Sequence, residues 1–495
     1  MATLVLGLDV STTATKAILV DGTGAVSGIG TAEYGYETPR PLWSQQDPEL
    51  WWTATGAAVR QALVAAGAGG DDVRAIGLTG QMHGAVLLDA ADRPLRPAIL
   101  WNDQRTGAEC DAIRAAVGAE RLVAITGNDA ITGLTAPKLL WVRAHEPDVW
   151  ARVASVLLPK DYVRLRLTGT RVLDTADGSG TGLFDLAARG WSAEVLAALE
   201  LDRRLFPETL EGPDVTGTLT AAAAEATGLR TGTPVVAGGG DQSANAIGVG
   251  ALDPGVVALS LGTSGVVFAA TDRPIVEANG RVHAFCHAIP DRWHLMSVML
   301  SAAGSLRWFR DALAPGVAFG DLVEEAGTVP AGSEGLWFLP YLTGERSPHP
   351  DPLARGAFIG LTVAHRRPHL VRAVLEGVAF GLRDGLDLMV GAGMPPPDQI
   401  RASGGGLASP IWRQILADVL GAEIAGVATT EGAAYGAALL AAPAAGLTAS
   451  VAEAAAAFVR ITPQAQPGQE ADAYVERHSL YRELYPALAP IFPRM

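Results

Sequence analysis

At 495 residues the chain is too long for one compact core, so two domains are expected. Its formal net charge of −15 and pI near 5.1 exclude a protein that lives on phosphate-backbone contacts, and nucleic acid is not an expected partner. With 49% hydrophobic and 18% charged residues, and two cysteines (Cys110 and Cys286), it reads as a soluble enzyme of a reducing, cytoplasmic compartment.

Residues 1–13 have no basic n-region, and Asp9 interrupts their apolar run, so no leader is expected. Residues 4–8 and 16–20 read as strands around a polar turn that holds Asp9, Ser11, Thr12, Thr13 and Thr15. Either this is a plain β-hairpin, or its N–H groups form a nest for phosphate oxygens, with Lys16 adding positive charge and Asp9 holding a hydrated magnesium ion. Residues 51–66 have helical spacing. Residues 73–78 and 85–88 read as strands on either side of Gln81, Met82, His83 and Gly84. His83 in that turn suits a sugar hydroxyl or carbonyl, or is a plain turn histidine. Trp101, before Asn102 and Asp103, suits a sugar face, or is core.

The strand at 234–237 ends in Gly238, Gly239, Gly240 and Asp241. Glycines there let a substrate approach the backbone, and Asp241 could take a hydroxyl proton during attack on phosphorus. The competing reading makes Asp241 the N-cap of a helix at 243–249. Small residues at 244–255 mark a hinge.

Strands at 256–261 and 266–269 then flank Gly262, Thr263, Ser264 and Gly265, repeating the N-terminal hairpin. The repeat is either coincidence or the mark of two related domains facing across a cleft. His283, Cys286, His287 and His294 have the residue types of a metal site, but strand alternation would turn them to different faces. Helices follow at 301–313, 369–390 and 411–420, the last preceded by Gly404, Gly405 and Gly406. The apolar stretch 436–459 is broken by Pro443 and Gly446 and reads as a buried helix with its loop, not a membrane span. Only three lysines occur, Lys16, Lys138 and Lys160. None follows a glycine, so there is no P-loop, and no dinucleotide fingerprint or nucleophile elbow is present.

Taken in order, residues 9–16, 81–84, 101–103, 133–141, 238–241, 261–265 and 356–376 resemble the FGGY carbohydrate kinases over nearly the whole chain. Ala144 departs from the charged or polar residue usual after the 133–141 motif. The resemblance implies an α/β fold of two actin-like (ribonuclease-H-like) domains, 1–246 for sugar and 247–495 for nucleotide. It implies Asp241 as base, and Met82, His83, Trp101 and Gln242 at the sugar. Asp9 would be the metal-associated aspartate. Thr12, Thr13, Lys16, Gly262 and Thr263 would approach the ATP phosphates, and Gly404, Gly405 and Gly406 the adenosine.

Segments 41–48, 80–84, 99–103, 158–162 and 293–300 are similar to the branch that phosphorylates D-xylulose on its 5-hydroxyl with Mg-ATP. Gln242 departs from that branch, which carries Asn there, and matches glycerol kinases. Another ketose or polyol therefore stays open as acceptor, and a non-catalytic sugar sensor is the rival of a different class. A homodimer is expected only as the commonest assembly of soluble enzymes.

Overall fold

The computed structural model describes residues 3–428 and 431–495. Its frame is two sheets of seven strands each. The first uses β1 (Leu4–Val10), β2 (Ala14–Asp21), β3 (Val26–Glu33), β4 (Val73–Gly80), β5 (Val215–Thr218), β6 (Pro234–Val236) and β7 (Gly239–Gly240). Their order is β5-β6-β4-β1-β2-β3, with β7 also on β4. The second uses β8 (Val256–Leu261), β9 (Gly265–Thr271), β10 (His283–Cys286), β11 (Trp293–Met299), β12 (Gln399–Ser403), β13 (Glu423–Val427) and β14 (Ile461–Ala465), in the order β10-β11-β9-β8-β12-β13-β14.

The hairpin repeat read from the sequence extends to the pairing of whole sheets. β1 pairs antiparallel with β2 and parallel with β4, as β8 pairs antiparallel with β9 and parallel with β12. β3 then extends β2 as β11 extends β9. Val10 faces Thr15 at the first tip and Leu261 faces Gly265 at the second, so the cross-strand pair Asp9–Lys16 corresponds to Ser260–Val266. This duplication is the actin-like arrangement.

Helices α1 (Pro48–Ala66), α2 (Thr135–His145), α3 (Pro159–Thr168), α4 (Thr175–Ser179), α5 (Asp241–Gly248), α6 (Ala303–Leu313), α7 (Phe319–Ala326), α8 (Arg367–Gly391), α9 (Pro410–Leu420) and α10 (Gly432–Ala441) surround the sheets. α5 and α10 cross at the centre. Gly248 lies against the backbone of Gly432, and Gly436 against that of Ala244, so close that a Cβ on either glycine would overlap a carbonyl oxygen. α5 packs on both sheets, with Ala246 joining Ala258, Phe268 and Ala270 and Ile247 joining Val5, Ile18 and Ala75, while Ala434, Ala438 and Leu439 of α10 join the latter cluster on the first sheet. Residues 244–248, expected as part of a hinge, are therefore helix, and their small side chains serve close packing. The chain crosses the boundary expected at 246/247 inside α5.

Asp241 is the first residue of α5, and Gly240, not Asp241, is its N-cap, so the capping reading is corrected. The glycine triplet also has a different purpose from the one expected. Gly238 has φ 82, and a Cβ there would sit 2.0 Å from the carbonyl oxygen of Leu78. On Gly239 it would meet Ala288, and on Gly240 Met82 and Asp177. The triplet lets β7 close onto its neighbours; the room is taken by protein, not left for substrate.

Candidate functional site

Parallel strands β1, β4 and β7 end side by side, the usual place for ligands in such sheets. Asp9 lies opposite Thr79, and Gly239 and Gly240 lie opposite Thr79 and Gly80. Asp9 and Asp241 consequently leave the sheet at neighbouring points. Burial pushes Asp241 up to about 7; the charge on Asp9 adds to this, and the Gln242 amides pull the other way. Burial also raises Asp9 to about 6, opposed by Lys16 and reinforced by Glu431, and its buried Oδ1 has no hydrogen-bond partner among the described residues.

Two of the residues expected at the sugar, Met82 and His83, lie beside the segment that leads into Asp241. Gly240 packs on Met82, and Gly180 packs on both the Met82 methyl and the His83 ring. His83 holds φ 67, a left-handed backbone uncommon for a side-chain-bearing residue and a mark of functional sites. Its Nδ1 lies 2.7 Å from the Gly180 carbonyl oxygen, which can only accept, so the proton sits on Nδ1 and Nε2 is left as an acceptor. Burial, with Lys138 adding to it, holds this imidazole far below the usual histidine range, so it stays neutral.

The loop 11–14 is more occupied by its own structure than the sequence suggested. Ser11 Oγ donates to the Ala14 carbonyl oxygen, and Thr15 Oγ1 is 3.2 Å from the Tyr34 hydroxyl. Thr12 Oγ1 accepts from Trp101 Nε1 at 3.0 Å and donates to Gln81 Oε1. Trp101, 39% exposed, thus ties the sugar side to this loop. Among the described residues only the Thr13 hydroxyl in the turn has no hydrogen bond, and Thr13 is exposed. Lys16 Nζ reaches across to Glu431 Oε2 at 2.6 Å, so its charge is shared with a carboxylate.

Two cavities continue from here into the C-terminal half. One of about 260 Å³ is lined by Asp9, Lys16, Asn245, Ser260, Gly404 and Glu431. The other, about 640 Å³, has Gly262, Thr263, Gly405 and Gly406 at its edge and an apolar wall of Leu306, Phe319, Val323, Ile411 and Trp412. Of the residues expected at a nucleotide, Lys16, Gly262, Thr263, Gly404, Gly405 and Gly406 lie along these cavities, whereas Thr12 and Thr13 line neither. Gly404, with φ 105, has no room for a Cβ beside the Leu261 carbonyl oxygen, whereas Gly405 faces open space.

Sequence reasoning did not find what stands behind the sugar side. Lys138, fully buried, donates to the carbonyl oxygens of His83 (2.9 Å) and Gly133 (2.6 Å) and so fixes the strained turn. Burial brings its ammonium down to about 7. Asp161, Asp174 and Asp177 lie close enough to share a cation, and the cation among them is the ammonium of Lys160. Arg164 adds a second positive charge at Asp161. The retained lysines were the one available signal, since all three fall at this site. The histidines near 283–294 are placed otherwise than expected: pairing of Phe285 with His294 puts His283 and His294 on one face, where His294 stacks on Phe268. Burial holds His283 and His287 down at about 3.

The N-terminal domain of the FGGY family of carbohydrate kinases matches residues 4–248 and its C-terminal domain residues 257–445. A xylulose kinase of Escherichia coli (strain K12) is 45% identical over 98% of this chain and 99% of its own. The crystal structure of a xylulose kinase from Rhodospirillum rubrum superimposes with a TM-score of 0.92 at 34% identity, covering 99% of each chain. A gluconate kinase from Lactobacillus acidophilus superimposes with a TM-score of 0.95 at 28% identity, covering 100% of each chain, so backbone likeness does not by itself choose the acceptor. Two matched domains and near-full-length relatives place the chain in the FGGY family of carbohydrate kinases.

Proposed function

We propose that the protein transfers the γ-phosphoryl group of ATP to the 5-hydroxyl of D-xylulose, giving D-xylulose 5-phosphate and ADP, with Asp241 as general base. The observation that carries the base assignment is the place of Asp241, at the ends of parallel strands beside Met82 and His83, with a proton affinity near neutrality. A base poised there is deprotonated in about half the molecules at neutral pH and still able to take a proton. As O5 attacks, the O5–P bond forms and the bond from phosphorus to the β–γ bridging oxygen breaks. ADP leaves with that electron pair, and the O5 proton passes to Asp241.

Neutral His83 accepts a sugar hydroxyl at Nε2, Met82 supplies an apolar wall, and Trp101 and Gln242 edge the site. The apolar cavity suits a purine ring, with Gly404, Gly405 and Gly406 along the adenosine. Gly262 and Thr263 approach the phosphates from one half, and Thr12, Thr13 and Lys16 from the other. The orphaned Oδ1 of Asp9 fits a hydrated magnesium ion, which when bound neutralises charge on the β- and γ-phosphates. In this reading residues 1–246 form the sugar domain and 247–495 the nucleotide domain, and sugar binding closes the cleft against water. Equal ATP turnover with and without sugar would contradict that closure. Buried free thiols at Cys110 and Cys286 support a cytoplasmic enzyme, with a homodimer as the default assembly.

The test is Mg-ATP consumption against D-xylulose, D- and L-ribulose, glycerol and gluconate, with Asp241→Asn alongside. D-xylulose is expected to give the highest kcat/KM, and Asp241→Asn to lower kcat by about 10²–10⁴-fold. A different best acceptor with Asp241 still required keeps the mechanism and makes Gln242→Asn the next variant. No stimulation by any sugar overturns the reading.

A further inference from the structure

Several well-buried guanidinium groups pair with carboxylates: Arg105 with Asp103, Arg164 with Asp161, Arg372 with Glu376. The half-buried Arg346 has neither such a pair nor, unlike Arg401 and Arg413, backbone carbonyls in its place. Among the described residues its guanidinium makes no hydrogen bond and no ion pair. The adjacent Glu345 carboxylate accepts instead from the backbone N–H groups of Leu300 and Arg346, and burial pushes it up to about 8. The backbone on either side of Arg346 is fixed to the C-terminal half. Ser347 N–H donates to the Val298 carbonyl oxygen and Ser347 Oγ to that of Arg281.

From this anchored segment the side chain reaches the opposite half. Nη2 lies 3.5 Å from where a Cβ of Gly133 would stand, the same point that is 3.1 Å from the Trp101 carbonyl oxygen. Its charge acts on the adjacent Glu345 and on His83, Lys138 and His283. With Nη2 beside Gly133 and the Trp101 carbonyl, the guanidinium sits on the His83 side of the sugar pocket. A half-buried guanidinium whose N–H groups lack acceptors gains from a ligand that supplies them, and its planar fork is suited to two neighbouring oxygen atoms.

We propose that Arg346 is a sugar-binding residue supplied by the C-terminal half, donating N–H groups to the oxygens on C1 and C2 of the acceptor, the end remote from the attacked hydroxyl. This rests on the ketose-kinase reading above. With His83 held by one half and Arg346 by the other, the sugar bridges the cleft, and closure waits for it.

The test is steady-state kinetics of Arg346→Gln and Arg346→Lys with D-xylulose and with 1-deoxy-D-xylulose, which lacks the C1 oxygen. Arg346→Gln is expected to raise the KM for D-xylulose about tenfold or more, with the KM for ATP within about twofold. Its preference for D-xylulose over the deoxy sugar should shrink toward unity, and Arg346→Lys should keep part of that preference. An unchanged sugar KM in an active Arg346→Gln enzyme overturns the inference, as does a loss confined to kcat and the KM for ATP, which would place the guanidinium on the phosphates. Should the variants not fold, wild-type protein is treated with phenylglyoxal and read by peptide mass spectrometry. D-xylulose is expected to shield Arg346, and equal modification with and without sugar overturns the proposal. A wild-type enzyme that turns over no sugar removes the functional reading instead, so the two failures are distinct.

Discussion

The two hairpins share a backbone and differ in everything chemical. Asp9 and Lys16 face one another at the first, and the second has Ser260 and Val266 in those places. The first tip is held by side chains, with Thr12, Gln81 and Trp101 bonded together. The second is held by main chain: the N–H groups of Ala302, Ala303 and Gly304 donate to the carbonyl oxygens of Thr263 and Gly262. One therefore keeps charge at its tip, and the other presents an uncharged tip to the apolar cavity. A duplicated sheet fixes where ligands bind, and the residues at its strand ends decide which ligand each copy takes.

The largest test of this contrast replaces the counterpart residues. On the proposed role of Asp9 in holding the metal, Asp9→Asn should lower kcat by about 10²-fold or more, while Ser260→Ala should stay within about threefold. Comparable losses in steady-state assays would erase the distinction.

pH sharpens it next. With Asp241 raised to about 7, kcat/KM for the sugar should fall about tenfold per pH unit below that value. Because the charge on Asp9 contributes to the rise, the residual activity of Asp9→Asn should show its acid limb at lower pH. A limb that stays in place would mean the two carboxylates do not interact.

At the second hairpin, Gly405→Ala points into open space and should raise the KM for ATP several-fold with little effect on folding. Gly404→Ala adds a Cβ 2.5 Å from the Leu261 carbonyl oxygen on a φ of 105, and should cost about 1–3 kcal/mol of stability, read by denaturant titration.

The smallest effect is on stability. Folding raises Asp241 from 3.8 to about 7, so the folded state binds the proton more tightly. Its contribution is fully present below about pH 4 and is lost as pH climbs toward 7. Asp241→Asn should accordingly melt higher than wild type at pH 8, by about 1–3 kcal/mol given the partial exposure of the side chain, and lose that advantage near pH 4. Equal melting at both pH values would place Asp241 in a more solvated setting.

Much of the site was legible because its pieces are local. Strand, turn and glycine signals around Asp9, Met82–His83, Asp241, Gly262 and Gly404 each occupy a few consecutive residues, and each one ends a strand of the two sheets. The helices at 51–66, 369–390 and 411–420 were readable for the same reason, as periodic apolar positions, and the structure extends them to α1, α8 and α9.

By itself, then, the sequence determined the elements, their duplication, the acidic pair and the family. Only the tertiary structure decided which groups are already engaged: that Lys138 holds the His83 turn, that Lys160 lies among three aspartates, that Lys16 is paired with Glu431, and that the Arg346 guanidinium has no hydrogen bond or ion pair among the described residues. It also decided that α5 packs on both sheets and that α10, from the C-terminal half, packs on the first. The reason is separation along the chain. Lys16 and Glu431 are 415 positions apart, and Lys138 and His83 are 55 apart. Local propensity has no information about such partners, and only packing of the two halves brings them within a hydrogen bond of each other.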